Sequence, residues 1–167
     1  MSWLYRVIRP LDQFISEQRG GEMLTVGTNA PNFKVKNHLG DWVQLSDFSG
    51  KKVILWFYPK ADTPGCTAEG CGFRDRLDRF KEKNATVLGV SFDSVEENMA
   101  FVKKFGFQYP LLCDTERQIG VAYGACKSPT DENASRIGYI IDEGGKVAKA
   151  YPKVDARSFP ETVLAEL

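Results

Sequence analysis

Cys66 and Cys71 stand five positions apart in the run Tyr58-Pro59-Lys60-Ala61-Asp62-Thr63-Pro64-Gly65-Cys66-Thr67-Ala68-Glu69-Gly70-Cys71. A cysteine does chemistry as its thiolate, and a free thiol near pKa ~8.5 is only a few per cent ionised at neutral pH. Bringing such a thiol to ~6 takes about 3.4 kcal/mol, at ~1.36 kcal/mol per unit. The run joins an apolar stretch, Val53 to Tyr58, to a helical pattern, and Pro64 and Gly65 deliver Cys66 into the first helical turn. Unpaired amides and the positive dipole end favour an anion there, but supply only ~0.3–2 kcal/mol. A cation and a hydroxyl must make up the rest. Thr63, three residues earlier, offers the hydroxyl. Arg136, opening a later strand, is the cation candidate, because neighbouring strands can end at one rim of a sheet. The Thr, Pro and Gly neighbours are not the apolar pocket of an inert cysteine.

Cys71 does not fit a CxxC redox pair or a zinc knuckle, both of which use closer spacing. In an intact helix, positions i and i+5 lie about 8.6 Å apart between Cα atoms. A disulfide accepts ~4.4–6.8 Å, so the two thiols can pair only if the helix unwinds. Gly70 and Gly72 flank Cys71, and each costs about 1 kcal/mol of helix propensity against alanine. The spacing therefore reads either as a pair served by an opening helix or as a buried helix cysteine beside a reactive one.

The rest of the composition narrows the classes. The chain has 167 residues, 22 basic and 22 acidic, with 43% hydrophobic content, which fits one domain with a proper core. Balanced charge gives no basic excess for nucleic acid or an anionic membrane. The apolar run of six from Val53 to Tyr58 is far short of the ~20 residues of a membrane span. One histidine, His38, excludes a site built on several imidazoles. Cys113, beside Leu111 and Leu112, reads as an inert core thiol; Cys126, in polar sequence, reads as a free thiol or a rival resolving residue. A Cys₄ metal module ranks last, because Cys113 and Cys126 stand far apart in sequence and one would have to leave a core strand.

Positioning these groups requires alternating strands and helices. Strands are expected at Asn32–Lys36 and Trp42–Leu45 around the turn His38-Leu39-Gly40-Asp41, then at Val53–Tyr58, Thr86–Phe92 and Leu111–Cys113. Arg136–Ile141 and Lys146–Tyr151 form a closing hairpin around Glu143-Gly144-Gly145. Helices are expected from about Cys66 to Lys83, with Phe73, Leu77 and Phe80 inward, and after a capping box of Ser94 and Glu97, with Met99, Val102 and Phe105 inward. Two more fall near Thr115–Tyr123 and Ser158–Leu167. This pattern is an α/β fold with a mixed central sheet flanked by helices. Residues 1–22 read as an extension whose apolar stripe, Trp3, Leu4, Val7, Ile8, Leu11, Phe14 and Ile15, has helical spacing, with Gly20-Gly21 as hinge to a domain at 23–167. A helix folded onto the domain is the preferred use; docking to a partner or membrane ranks second. The start lacks the features of a secretory or organellar leader, which with thiol chemistry suggests the cytoplasm.

Pro59, Thr63 and Cys66, as PxxxTPGCT, resemble the active-site signature of the peroxiredoxins, and Glu69 and Cys71 extend the match to the Q-type, or bacterioferritin-comigratory, subgroup. The resemblance runs over roughly residues 23–167 and includes Arg136-Ile137-Gly138-Tyr139-Ile140-Ile141-Asp142. It implies a thioredoxin-like fold and a thiol peroxidase without metal or organic cofactor. By that resemblance Cys66 is peroxidatic, Thr63 and Arg136 hold the peroxide, Pro59 shields the thiolate, and Cys71 resolves the sulfenic acid as a disulfide. Thioredoxin or a similar dithiol protein would be the reductant, acting on a monomer or weak dimer. The alternative is a thioredoxin-like thiol–disulfide oxidoreductase without peroxide specificity. The i+5 spacing and the Thr63 hydroxyl disfavour it.

Overall fold

The computed structural model describes residues 20–167, so the expected helix in the N-terminal stripe lies outside the described residues. β1 (Lys34–Asn37) and β2 (Trp42–Gln44) form the first hairpin, and a single 3-10 turn (Leu45–Phe48) leads to β3 (Lys52–Phe57). Then follow α1 (Pro64–Asp75), α2 (Leu77–Glu82), β4 (Ala85–Ser91), α3 (Val95–Phe105) and β5 (Leu111–Cys113). α4 (Gln118–Tyr123), the hairpin of β6 (Gly138–Ile141) and β7 (Val147–Tyr151), and α5 (Phe159–Ala165) complete the chain. The seven strands form one sheet in the order β2-β1-β5-β4-β3-β6-β7. β3, β4 and β5 are parallel neighbours, and β6 runs antiparallel to β3 on its other side.

β3 is apolar along its length because both faces are covered. Ile54 and Trp56 point into a core shared with Phe73, Leu77, Phe80, Phe101 and Phe159; Val53, Leu55 and Phe57 point into a second core with Ile119, Tyr123 and Tyr139. The sheet is therefore a sandwich with α1, α2, α3 and α5 on one face, and α4 with the segment leading to β1 on the other. Trp56 pairs across the ladder with Gly89 and Gly138, and the absent side chain at Gly89 leaves the space its ring fills; a Cβ there would lie 3.0 Å from Trp56 Cε2.

Three local expectations are corrected. The helix expected from Cys66 to Lys83 is two helices, broken at Arg76 (φ −110°, ψ 7°). The Arg76 guanidinium donates to the Gly72 carbonyl (3.0 Å), the acceptor its own amide would use in an α-helix, and that amide turns to Phe73 O instead (3.2 Å). On α3 the buried face centres on Asn98 and Phe101, while Met99 is only half-buried; the Ser94–Glu97 capping box forms as expected. Gly20-Gly21 is seated on the domain: Gly21 N–H donates to Val121 O (2.9 Å), and a Cβ on Gly21 would lie 2.9 Å from the Lys127 α-carbon.

Candidate active site

The site begins where β3 leaves the sheet. Tyr58 N–H still reaches Val90 O of β4 (3.0 Å), and the chain then turns through Pro59 to Thr63. That loop is tied down at several points. Lys60 Nζ lies 2.5 Å from the buried Asp93 carboxylate and also reaches Glu97. Asp93 Oδ2 accepts the Ala61 amide (2.9 Å). Asp62, in the left-handed conformation (φ 60°), takes Lys104 Nζ at 2.9 Å. Pro59 is half-buried.

Thr63 is the N-cap of α1 in an extended conformation (φ −94°, ψ 156°), and Pro64 follows with the φ a first helical residue needs. The first rung of the helix is Thr67 N–H to Thr63 O (2.8 Å), so the Gly65 and Cys66 amides precede the ladder. Thr63 Oγ1 donates to Lys60 O (2.8 Å), which commits its proton to the loop and leaves its lone pairs to accept.

Cys66 is fully buried, and the Arg136 guanidinium stands over it, with Nη2 3.4 Å from Sγ. The two residues are 70 positions apart in the chain. They meet because β6 starts where β3 ends: Phe57 N–H donates to Ile137 O (2.9 Å), the residue next to Arg136. Gly65 permits the approach, since a Cβ there would sit 3.0 Å from Arg136 Nη2. The other arm of the fork, Nη1, bonds Glu69 Oε1 at 2.7 Å. Burial opposes the charge on Arg136, but its hydrogen bonds to Cys66 and Glu69 outweigh this and raise its pKa. Glu69 lies one helical turn beyond Cys66 on the same face, has no exposed side-chain surface, and leaves Oε2 without a partner. Burial pushes its carboxyl up to about 8, against the pull of the Arg136 bond and charge. Sequence reasoning misses this positioning role for Glu69; its spacing of three from Cys66 is the signal that could have found it.

Cys71 is half-buried on the same unbroken helix, and all four cysteines are free thiols. Burial raises the Cys71 pKa, with Arg74 pulling weakly the other way. The flanking glycines do more than lower helix propensity. A Cβ on Gly70 would lie 2.6 Å from Phe107 Cζ, and one on Gly72 would lie 2.7 Å from Pro160 Cγ. Both are points where another element touches the helix backbone. Cys113 is a core thiol under the Asn98 amide (3.3 Å), with its pKa raised by burial. Cys126, expected as a loop thiol, is buried instead, packed where a Cβ on Gly120 would stand 3.0 Å from its sulfur. Among the described residues no group of three or more His, Cys, Asp or Glu converges as metal ligands would.

A buried sulfur at the N-terminal turn of a helix, under a guanidinium and at the end of a central strand, defines a thiol-dependent enzyme of thioredoxin-like architecture. The chain belongs to the AhpC/TSA family, whose model matches residues 26–150, and within it to the peroxiredoxins of the Bcp, or Q, type. It is 37% identical over 152 residues to a putative peroxiredoxin Bcp of Coxiella burnetii, covering 86% of this chain and 99% of that one. It is 35% identical over 149 residues to peroxiredoxin Bcp of Bacillus subtilis, covering 86% and 95%. The crystal structure of a cysteine-to-serine mutant of Xylella fastidiosa PrxQ superposes with a TM-score of 0.81 at 31% identity, covering 87% and 96%. The activity is that of a thiol peroxidase.

Proposed function

We propose that this chain reduces hydrogen peroxide and organic hydroperoxides through Cys66. The observation that carries this reading is the Arg136 fork, which bonds the Cys66 sulfur with one arm and the buried Glu69 with the other. The Cys66 thiolate attacks the distal peroxide oxygen; the S–O bond forms, the O–O bond breaks, and the leaving oxygen departs as water or an alcohol after taking a proton. Thr63 Oγ1, with lone pairs free, accepts from the peroxide hydroxyl, while Arg136 faces the charge developing on the leaving oxygen. Pro59 closes one side of the loop and limits water at the sulfur.

Cys71 then attacks the Cys66 sulfenic acid. An S–S bond forms, the S–O bond breaks, and the departing hydroxide leaves as water with the thiol proton. This step needs the helix to open between the two residues, and the resulting disulfide is returned to two thiols by thioredoxin or a similar dithiol protein. The enzyme works as a monomer or weak dimer in the cytoplasm, with residues 23–167 as the peroxidase unit. Gly20-Gly21 is already seated on the domain, and deleting residues 1–19 is expected to leave turnover intact.

The test follows peroxide consumption with a thioredoxin system in wild type, Cys66→Ser and Cys71→Ser, with disulfides mapped by mass spectrometry after one equivalent of peroxide. Expected is no turnover in Cys66→Ser, and in Cys71→Ser a sulfenic acid that accumulates without an intramolecular disulfide. Unchanged turnover in Cys66→Ser would end the proposal, and full turnover in Cys71→Ser would move the resolving role elsewhere.

A further inference from the structure

The turn that carries Cys71 is held from outside the helix. Tyr109 is buried, and its hydroxyl donates to the Gly70 carbonyl at 2.8 Å. Beside it the tip of the Phe107 ring rests on the Gly70 α-carbon, at the place a Cβ would occupy. The two rings stack with centroids 5.3 Å apart, and Phe107 packs edge-on against Phe101 at 4.9 Å. One residue N-terminal to Cys71, the backbone is thus gripped at both its α-carbon and its carbonyl by the segment between α3 and β5. A second tie lies nearby: Arg74 Nη1 donates to Phe105 O (2.6 Å), at the end of α3 where that segment begins.

We infer that Tyr109 is a latch on the resolving step. Its hydroxyl bond to Gly70 must break before the helix can unwind far enough for Cys71 to meet the Cys66 sulfenic acid. The inference rests on the reading of Cys71 as the resolving residue. Chemically the step is the one given above: the S–S bond forms as the S–O bond breaks, with one water released. Tyr109 is a positioning residue that acts through Gly70, not through either sulfur. While the latch holds, the sulfenic acid persists and a second peroxide can take it to sulfinic acid. The strength of this hydrogen bond therefore shifts the balance between recycling and over-oxidation.

Tyr109→Phe removes the hydroxyl and keeps the ring. A neutral intramolecular hydrogen bond is worth enough that its loss is expected to speed Cys66–Cys71 disulfide formation by about two- to tenfold. The measurement mixes reduced enzyme with one equivalent of hydrogen peroxide, quenches at intervals with an alkylating agent, and quantifies sulfenic acid and disulfide by mass. Sulfenic acid should form at the wild-type rate, disulfide should form faster, and at excess peroxide the sulfinic fraction should fall. Phe107→Leu, which withdraws the ring tip from Gly70, should act in the same direction and serves if Tyr109→Phe is poorly folded. Disulfide formation at or below the wild-type rate, with the Cys66–Cys71 bond still mapped, overturns the latch and leaves the peroxidase reading standing. A change in sulfenic acid formation as well shows a general disturbance and also overturns it. If wild type forms no Cys66–Cys71 disulfide, the latch falls together with the assignment of Cys71 as the resolving residue.

Discussion

Arg136→Lys separates geometry from charge at the reactive sulfur. The guanidinium serves two acceptors at once, Glu69 Oε1 at 2.7 Å and Cys66 Sγ at 3.4 Å, from two nitrogens held in one plane. A lysine keeps the positive charge but offers a single nitrogen. The shorter bond, to a buried carboxyl with one oxygen already unpartnered, will claim it. The sulfur and the departing peroxide oxygen then lose a charged hydrogen bond worth about 1.5–3 kcal/mol. At ~1.36 kcal/mol per tenfold, the second-order rate constant for peroxide should fall about 13- to 160-fold. Folding stability should change little, because Glu69 keeps a cationic partner; Arg136→Ala would strand that carboxyl and confuse the two effects. The assay is stopped-flow oxidation of the reduced enzyme by hydrogen peroxide, with thermal unfolding as the control. A rate constant within twofold of wild type would show that the fork's second arm contributes nothing to the chemistry.

The raised Glu69 carboxyl, at about 8 against 4.5 for a free one, means the folded chain retains a proton that the unfolded chain has released between those values. This group's contribution to stability therefore declines as pH climbs through that window and is level above it; Glu69→Gln should flatten the decline in urea midpoints taken between about pH 5 and pH 8.5. Gly70→Ala tests whether propensity or packing governs the Cys71 turn. Alanine favours the helix by about 1 kcal/mol, whereas forcing a methyl against the buried Phe107 ring costs about 1–3 kcal/mol, so disulfide formation should quicken and the melting temperature drop; slower resolution with a higher melting temperature would refute this. Asp93→Asn weakens the Lys60 tie and one anchor of the loop before Thr63, and peroxide reactivity should decline several-fold although Asp93 has no bond to the sulfur. An unchanged rate constant would show that the loop holds its shape without that carboxylate.

Much of this site was legible because local signals and sheet topology agreed. The apolar run into Pro59 and the Thr63-Pro64-Gly65 cap each carried their meaning in a few residues, while the strand expected to open at Arg136 begins two residues later, at Gly138, with Arg136 just ahead of it. What escaped was decided by elements that meet only in three dimensions. Arg76 splits the helix because its side chain takes the Gly72 carbonyl. Gly70 and Gly72 read as weak helix formers, yet they are the seats of Phe107 and Pro160, far along the chain. Glu69 stood out in the motif, but not its burial or its bond to Arg136, and Cys126 sits in polar sequence that folds inward against Gly120. Periodicity reports which face of an element is apolar; it does not report which distant side chain will cover it.

The 70-residue separation between Cys66 and its guanidinium matters during synthesis. A polypeptide emerging from the ribosome presents the cysteine long before the arginine exists, and closing so long a loop waits on the last hairpin entering the sheet. Until then the thiol lacks its counter-charge and behaves as an ordinary cysteine towards oxidants. Reactivity is thus conferred on the finished protein, and an incomplete chain is spared the chemistry it is being built to perform.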